Sequence, residues 1–542
     1  MKDKVRIVLV SLVLLSLATV VSAAMEAKGE SQTDYRMWQF HAMKPDYIVK
    51  VMDKAKDYNI NSVIFSHAMN YYLSDFDDRG SKLAQQHIKL AGKAHQLGLK
   101  VYIWPHELES VPDKFMRDKV VQLDSPGFFE HITDKYNKFF KAYPEFDGIV
   151  LTFHETKYKI FNDKSTKSKL SKPERFAAII NAINLACMEN KRDFIVRSFL
   201  YNPDELNWFA ESMEKVHPNV VLQSKCIPHD WQPFYPHNPM IGKFPDRKLI
   251  VEFDGSSEFT GKNRIPHTSP DYFKYRWDYD HKQPGVAGYN IRLDHHGYDA
   301  FFTPNELNIF AISRLAENPS LSSDDIWKEW TVKNYGEPAA PFVEKTLRPT
   351  FDCVNKAFFA NTFWYTNHSK LPDYSYASRC IRPSGTNTYS VTITKWKPDD
   401  PSVKNTESAL NYPTPEYLEV ILKEKDEAIS LADECMGNLQ RAKPHLTSEQ
   451  YDDLFWRINL LGRVTRIWKA HAEAFWGYKV LEQGDTVAGL RERINRSLDF
   501  IEQQAMISEK DPMIGDTIPA SASNLRKVAR ELREKAEVRT DL

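Results

Sequence analysis

An excess of charge of either sign is missing from this 542-residue chain: Lys and Arg number 72 against 73 Asp and Glu, a formal net charge of −1. Recognition of nucleic acid rests on a basic surplus or stripe, so that class of partner is set aside. Cysteine is scarce and scattered. Cys187, Cys226, Cys353, Cys380 and Cys435 are odd in number and contain no CxxC pair, which argues against a zinc cluster or a disulfide framework. Buried thiols are expected, with Cys353–Cys380 the one pair to check for a bridge. No metal or other cofactor is expected either. Asp294, His295 and His296 are the best-grouped ligand types, but adjacent side chains on a strand point to opposite faces. No glycine-rich turn follows the first apolar run, which a nucleotide-binding sheet would want. Beyond the N-terminal leader, no apolar run approaches the roughly 20 residues that span a bilayer. Tandem repeats and low-complexity tracts are absent.

What is present begins with that leader. Lys2, Lys4 and Arg6 precede the apolar run Ile7–Val21, and Val21-Ser22-Ala23 has the small residues of a cleavage site. Residues 1–24 are therefore expected to be a signal peptide and 25–33 a linker. The mature protein is expected in the periplasm or secreted, with no membrane attachment after cleavage.

Apolar runs of strand character then alternate with helical periodicity. Strands are expected at Tyr35–His41, Asn61–Ser66, Leu99–Trp104, Asp147–Phe153, Phe194–Phe199, Val220–Gln223, Leu249–Phe253 and Val286–Ile291. Helices are expected between them, from Asp46–Tyr58 to Pro304–Glu317. Eight β-then-α units predict an α/β fold, a (β/α)8 TIM barrel over residues 34–320, rather than an open doubly wound sheet. Residues 321–542 change character. Glu416–Leu439, Ser448–Gln483, Val487–Gln504 and Ala522–Glu537 have helical periodicity, which predicts a C-terminal α-helical domain. Its aromatic face (Trp456, Trp468, Phe475, Trp476) reads as core or a subunit contact. Ahead of these, Trp327–Tyr335 and Ala339–Phe359 also look helical and are followed by the Ser/Thr/Asn/Pro-rich stretch Asn361–Pro413, in which Asn367-His-Ser matches a glycosylation sequon, as Asn495-Arg-Ser does later.

In such barrels chemistry assembles at the carboxyl ends of the strands. Those ends supply His41, His67, Trp104, His106, Glu107, His154, Glu155, Arg197, Lys225, Asp230, Asp254, Glu258, Arg292 and Asp294. Several carboxylates with His, a few cations and Trp, but no phosphate loop, suit glycoside hydrolysis. That reaction needs one protonated carboxyl and one ionised carboxylate around an anomeric carbon. Aromatics at 13%, with 12 Trp and 25 Tyr, lean the same way. Any one acid has a plainer role open to it; Asp254, for instance, is equally placed to cap a turn.

Four stretches carry a resemblance. VVLQSKCIPHDWQPFYPHNPMIG (220–242) resembles the VKNGPIDFQPREP segment of glycoside hydrolase family 67, the α-glucuronidases. LIVEFDGSSEFTG (249–261) is similar to that family's LELQITQEYTG, IVRSF (195–199) to its WRAF-type strand, and NIFAISRLAENPSLSSDDIWKEW (308–330) to its ANWYAFGRLAWDP helix. The resemblance runs from about Tyr35 to Tyr335 and is strongest from Arg197 to Gly261. It implies Glu155 as general acid, with Asp230 and Glu258 as the pair that holds and activates water, and Glu258 the favoured base. An inverting course follows, with acid and base about 6.5–9.5 Å apart.

The resemblance also implies that Arg197 and Lys225 bind a substrate carboxylate. His154, Trp104, His106, Trp231 and Arg292 are expected to complete the sugar contacts. The chain departs from the family at Leu151, where a Lys is usual, at Cys226 and Ile227, and at His154. The family's domain ahead of the barrel has no counterpart between the leader and Tyr35. The implied activity is exo-acting removal of an α-linked uronic acid or related sugar from polysaccharide fragments. Two alternatives stay open: a retaining glycosidase on a neutral or amino sugar, and an inactive carbohydrate-binding protein. Arg197 and Lys225 locked in internal ion pairs would favour the first of these. A homodimer through the helical region is a further implication.

Overall fold

Eight short runs rich in β-branched and aromatic residues form a closed parallel barrel. They are β1 Tyr35–Phe40, β2 Ser62–Phe65, β3 Lys100–Ile103, β4 Gly148–Leu151, β5 Asp193–Arg197, β6 Val221–Lys225, β7 Leu249–Asp254 and β8 Val286–Arg292. Each pairs in parallel with the next, and β8 returns to β1. The computed structural model describes residues 33–70, 72–153, 155–200, 202–381, 406, 408–484, 487–515 and 518–537. The expected leader and most of the linker, His154, and residues 382–405 lie outside this set. From Tyr35 onward the chain forms one unit.

Successive strand residues face opposite sides. One set, Met37, Ile64, Tyr102, Val150, Ile195, Val221 and Ile250, meets inside the barrel with Trp104 as a separate apolar plug. The alternate set, including Trp38, Val63, Val101, Ile149, Val196, Leu222 and Val251, packs outward against the helices. Further along β1, β5, β6, β7 and β8 the inward positions turn polar: Gln39, Arg197, Gln223, Glu252 and Asn290 are all buried. The interior thus rises from an apolar floor to a charged layer to the mouth. Closure depends on Gly288, which pairs with Tyr35. A Cβ there would sit 1.9 Å from the Tyr35 carbonyl oxygen, so only glycine permits the seam.

Helices α1 Pro45–Met52, α2 Lys82–Gln96, α3 Phe128–Ala142, α4 Lys172–Glu189 and α5 Pro203–Met213 follow β1 to β5; α6 Pro270–Asp280 and α7 Glu306–Glu317 follow β7 and β8. Their starts carry local stop signals. Ser81 caps α2 by accepting from Ala84, Asn202 caps α5 by accepting from Glu205, and Ser171 with Glu174 boxes the start of α4. One expected unit is incomplete. No helix follows β6; residues 226–248 run as turns and bends to β7. Pro228, Pro233, Pro236, Pro239 and Pro245 remove the amides that a helix there would need.

The remaining helices are α8 Ser323–Tyr335, α9 Ala340–Leu347, α10 Thr350–Phe358, α11 Tyr374–Cys380, α12 Pro415–Ala442, α13 Ser448–Glu482, α14 Leu490–Glu509 and α15 Ala522–Glu537. The single helix expected over Ala339–Phe359 breaks at Pro349. On α13, Trp468, Phe475 and Trp476 are fully buried, and Trp456 packs half-buried against the same core. That face is core, not ligand box. All five cysteines are free and buried. Cys353 donates its thiol to the Ala428 carbonyl rather than bridging to Cys380. Among the described residues no helix is long and apolar enough to cross a membrane.

Candidate active site

At the end of β5, Arg197 reaches across the barrel to Glu252 of β7 in a two-point ion pair, Nε–Oε2 2.8 Å and Nη2–Oε1 2.7 Å. Gln223 of β6 donates to the same carboxylate at 2.8 Å. Trp104 lies under the guanidinium, 4.0 Å from its centre. It is 3% exposed and belongs to the plug, so it supports Arg197 from below. Lys225, ending β6, donates to Asp230 at 2.7 Å between the rings of Phe199 and Trp231, 4.1 and 4.0 Å away. Both cations expected to receive a substrate carboxylate are thus held by carboxylates of the protein itself.

Glu155 follows β4 on a residue with φ +63°, a left-handed conformation that costs a non-glycine residue energy and recurs at functional sites. Its carboxylate lies close to His67 and His106; one ligand-type atom from each of the three falls within 4.8 Å of the others. The side chain reaches solvent from within a bowl of protein. That crowding, and next the Asp230 charge, push its carboxyl above the ordinary value, while Lys225 and Arg197 oppose the rise. His106 is buried, and burial pushes its ring down to about 3.

Glu258 is set differently. Arg292, ending β8, contacts it at 2.5 Å, His368 Nδ1 at 2.7 Å and His295 Nε2 at 3.4 Å. Burial pushes this carboxyl up, but the His295 ring, the Arg292 guanidinium and the His368 hydrogen bond hold it well below the usual range. Asp254 takes the plainer role. It accepts from Ser256 N at 2.9 Å and Glu258 N at 3.3 Å, capping the turn that carries Glu258, and meets Arg292 at 3.2 Å. Asp294 is also structural, accepting from His41 N, Ala42 N and Gly297 N at 2.7, 2.9 and 3.3 Å. Glu107 turns out of the mouth to Lys135 and Tyr136, at 2.7 and 2.9 Å. Beside the mouth a cleft of about 670 Å³ opens between Tyr72, His106, Glu109, Lys114, His131 and Lys135.

No family model matches the chain. An α-glucuronidase of Hypocrea jecorina is 23% identical over 237 residues, covering 38% of this chain and 27% of that protein. The chain therefore spans little more than a quarter of that relative's length. Among solved structures, an O-GlcNAc hydrolase of Thermobaculum terrenum covers 94% of this chain and 97% of its own at 12% identity, with a TM-score of 0.44. The protein designated CpGH84D covers 94% and 76% at 11% identity, with a TM-score of 0.42. The chain resembles glycoside hydrolases remotely.

Several residues of this glycosidase-like mouth escape a strand-end reading. Glu252 sits inside β7, where an acid in an apolar run signals an inward partner. His368 and Ser369 come from the segment that reads as loop. Ser369 Oγ donates to the Glu258 carbonyl and accepts from Gly261 N, at 2.7 and 2.8 Å. The Asn367-His-Ser triplet thus braces the Glu258 turn. Chemically, the mouth offers Glu155 among imidazoles with its carboxyl pushed upward, Asp230 paired with Lys225, and Glu258 held low by His295, Arg292 and His368.

Proposed function

We propose that this protein is a glycoside hydrolase in which Glu155 is the general acid and Asp230, paired with Lys225, is its carboxylate partner. The observation that carries the reading is the placement of Glu155 at the barrel mouth, on a left-handed backbone after β4 with its carboxylate gathered against His67 and His106; crowding and the Asp230 charge push that carboxyl upward, as a proton donor to a leaving oxygen requires. The favoured base shifts from Glu258 to Asp230. A carboxylate held far below its usual range by Arg292 and His368 accepts a proton poorly and serves better as fixed negative charge beside the sugar. Replacing Glu155 with Gln and Asp230 with Asn should each cost about 10²–10⁴-fold in kcat, with the fold intact by circular dichroism. Wild-type rates in both variants would refute the assignment.

The sugar follows from the cations. With Arg197 spent on Glu252 and Lys225 on Asp230, a neutral or amino sugar fits the mouth better than a uronic acid. A uronic acid is the second reading, supported by the partial likeness to an α-glucuronidase. Release of a terminal sugar, and export through the leader, rest on the sequence reading. Screening the full chain against oligosaccharides capped with neutral, N-acetylated or uronic sugars, with the product anomer read by NMR, separates these readings. Cleavage confined to uronic caps would overturn the neutral assignment, and the first-formed anomer decides between inversion and retention.

A further inference from the structure

We propose that His41, His295 and His296 form a binding site for a transition-metal dication of the zinc class. The site goes beyond the hydrolase reading and does not depend on it. His41 follows β1 and His295–His296 follow β8, the two strands that close the barrel. Asp294 ties both ends together through the His41, Ala42 and Gly297 amides. Adjacent histidines would diverge on a regular strand, but His296 leaves it at φ +51°. Its ring therefore turns back to lie 4.2 Å from that of His295, while His41 stacks 5.2 Å from His295. One ring nitrogen from each of the three falls within 4.8 Å of the others. Zinc takes imidazole nitrogens at about 2.0–2.1 Å, so small side-chain rotations close the site.

The hydrogen bonds around these rings are those that metal-bound histidines use. His41 Nδ1 is engaged by Ser66 Oγ at 2.9 Å, which leaves Nε2 for an ion. His295 Nε2 faces the Glu258 carboxylate at 3.4 Å. Its Nδ1 is buried with no hydrogen-bond partner, an exposed cost that a metal bond would remove. His296 is exposed and gives the ion a way in.

Two other groups of ligand types fit less well. Glu258, His295 and His368 already form a hydrogen-bonded cluster with Arg292. The group of His67, His106 and Glu155 would draw the proposed acid away from its proton. Arg292 and Lys262 are the adverse neighbours of the all-imidazole site; Arg292 is itself paired with Glu258 and Asp254.

The test uses the full chain freed of any histidine tag and stripped with a chelator. Zinc content after equilibrium dialysis should be about one ion per chain, and cobalt should give the visible absorption of a low-coordinate nitrogen site. His296→Asn, at an exposed position, should weaken zinc binding at least tenfold without changing the thermal midpoint of the metal-free protein. His41→Asn should weaken zinc binding more strongly, with some loss of stability from its buried bond to Ser66, and Ser66→Ala should weaken binding about tenfold. Zinc uptake near zero, or uptake unchanged in His296→Asn and His41→Asn, would overturn the proposal. Because binding is the readout, a failed hydrolase assignment leaves this result interpretable.

Discussion

From β5 round to β7 the rim of the barrel is built of charges paired side chain to side chain, Arg197 with Glu252 and Lys225 with Asp230. From β8 through β1 to β3 it is built of imidazoles, His295, His296, His41, His67 and His106, in ring contact from one to the next. Glu155 stands where the two arcs meet, with histidines on one flank and the Asp230 charge on the other. The halves solve burial differently. A guanidinium or ammonium cannot shed its charge cheaply, so the first arc must supply a carboxylate for each. An imidazole can become neutral, and burial lowers His41, His67, His106 and His295 to that form. The first arc is therefore rigid and committed. The second is built of side chains that can do without a charge, and in it His295 Nδ1 is buried without a hydrogen-bond partner.

The largest effect that would sharpen this contrast is on rate. The elevated Glu155 carboxyl loses its proton as pH rises through its raised pKa, so kcat/KM should fall about tenfold per pH unit above that point. A rate that stays flat well into the alkaline range would remove Glu155 from the acid role. Next is the cost of breaking the committed arc. Glu252→Ala leaves Arg197 buried without its carboxylate and should destabilise the protein by about 3–5 kcal/mol in a denaturant titration. An unchanged midpoint would show that the pair is not closed in solution.

His368→Ala should have a smaller effect and a distinct pH signature. The His368 side chain is 37% exposed, so solvent screening reduces its bond to Glu258 to about 1 kcal/mol. Burial lowers its pKa, but the Glu258 bond and charge win and raise it. Its contribution is thus complete below the unfolded histidine value and lost as pH rises through the raised one. Glu258 runs the other way. Its depressed carboxyl stabilises above the unfolded carboxyl value and loses that contribution as pH falls through the folded one. The gap between wild type and His368→Ala should therefore be widest in mildly acidic solution and narrow toward alkaline pH. Ser66→Ala, in the imidazole arc, removes one neutral hydrogen bond to His41 and should cost about 1 kcal/mol.

Much of the mouth was legible because a barrel strand announces where its side chains go. An apolar run ending in Arg197, Lys225, Glu155 or Arg292 delivers those groups to one rim whatever the loops do. Pairing was less legible. Nothing in the order of residues says that Arg197 faces Glu252 rather than solvent, because that follows from strands brought side by side across the barrel. The triplet holding His368 read as a glycosylation sequon in a polar loop. Its contact with Glu258 spans 110 positions along the chain, and no local pattern reports a contact at that range. The missing helix after β6 was legible in its prolines, yet the regular alternation around it suggested a complete unit.

By itself the sequence determined the alternation of strand and helix and the residues that stand at the strand ends, because these depend on period and position in the chain. Only the tertiary structure decided which charges cancel, that Gly288 must admit the Tyr35 carbonyl at the seam, and that two neighbouring histidines turn to the same side. Those outcomes depend on distances and burial between groups far apart in the chain, and on one backbone angle at His296 that residue order does not specify.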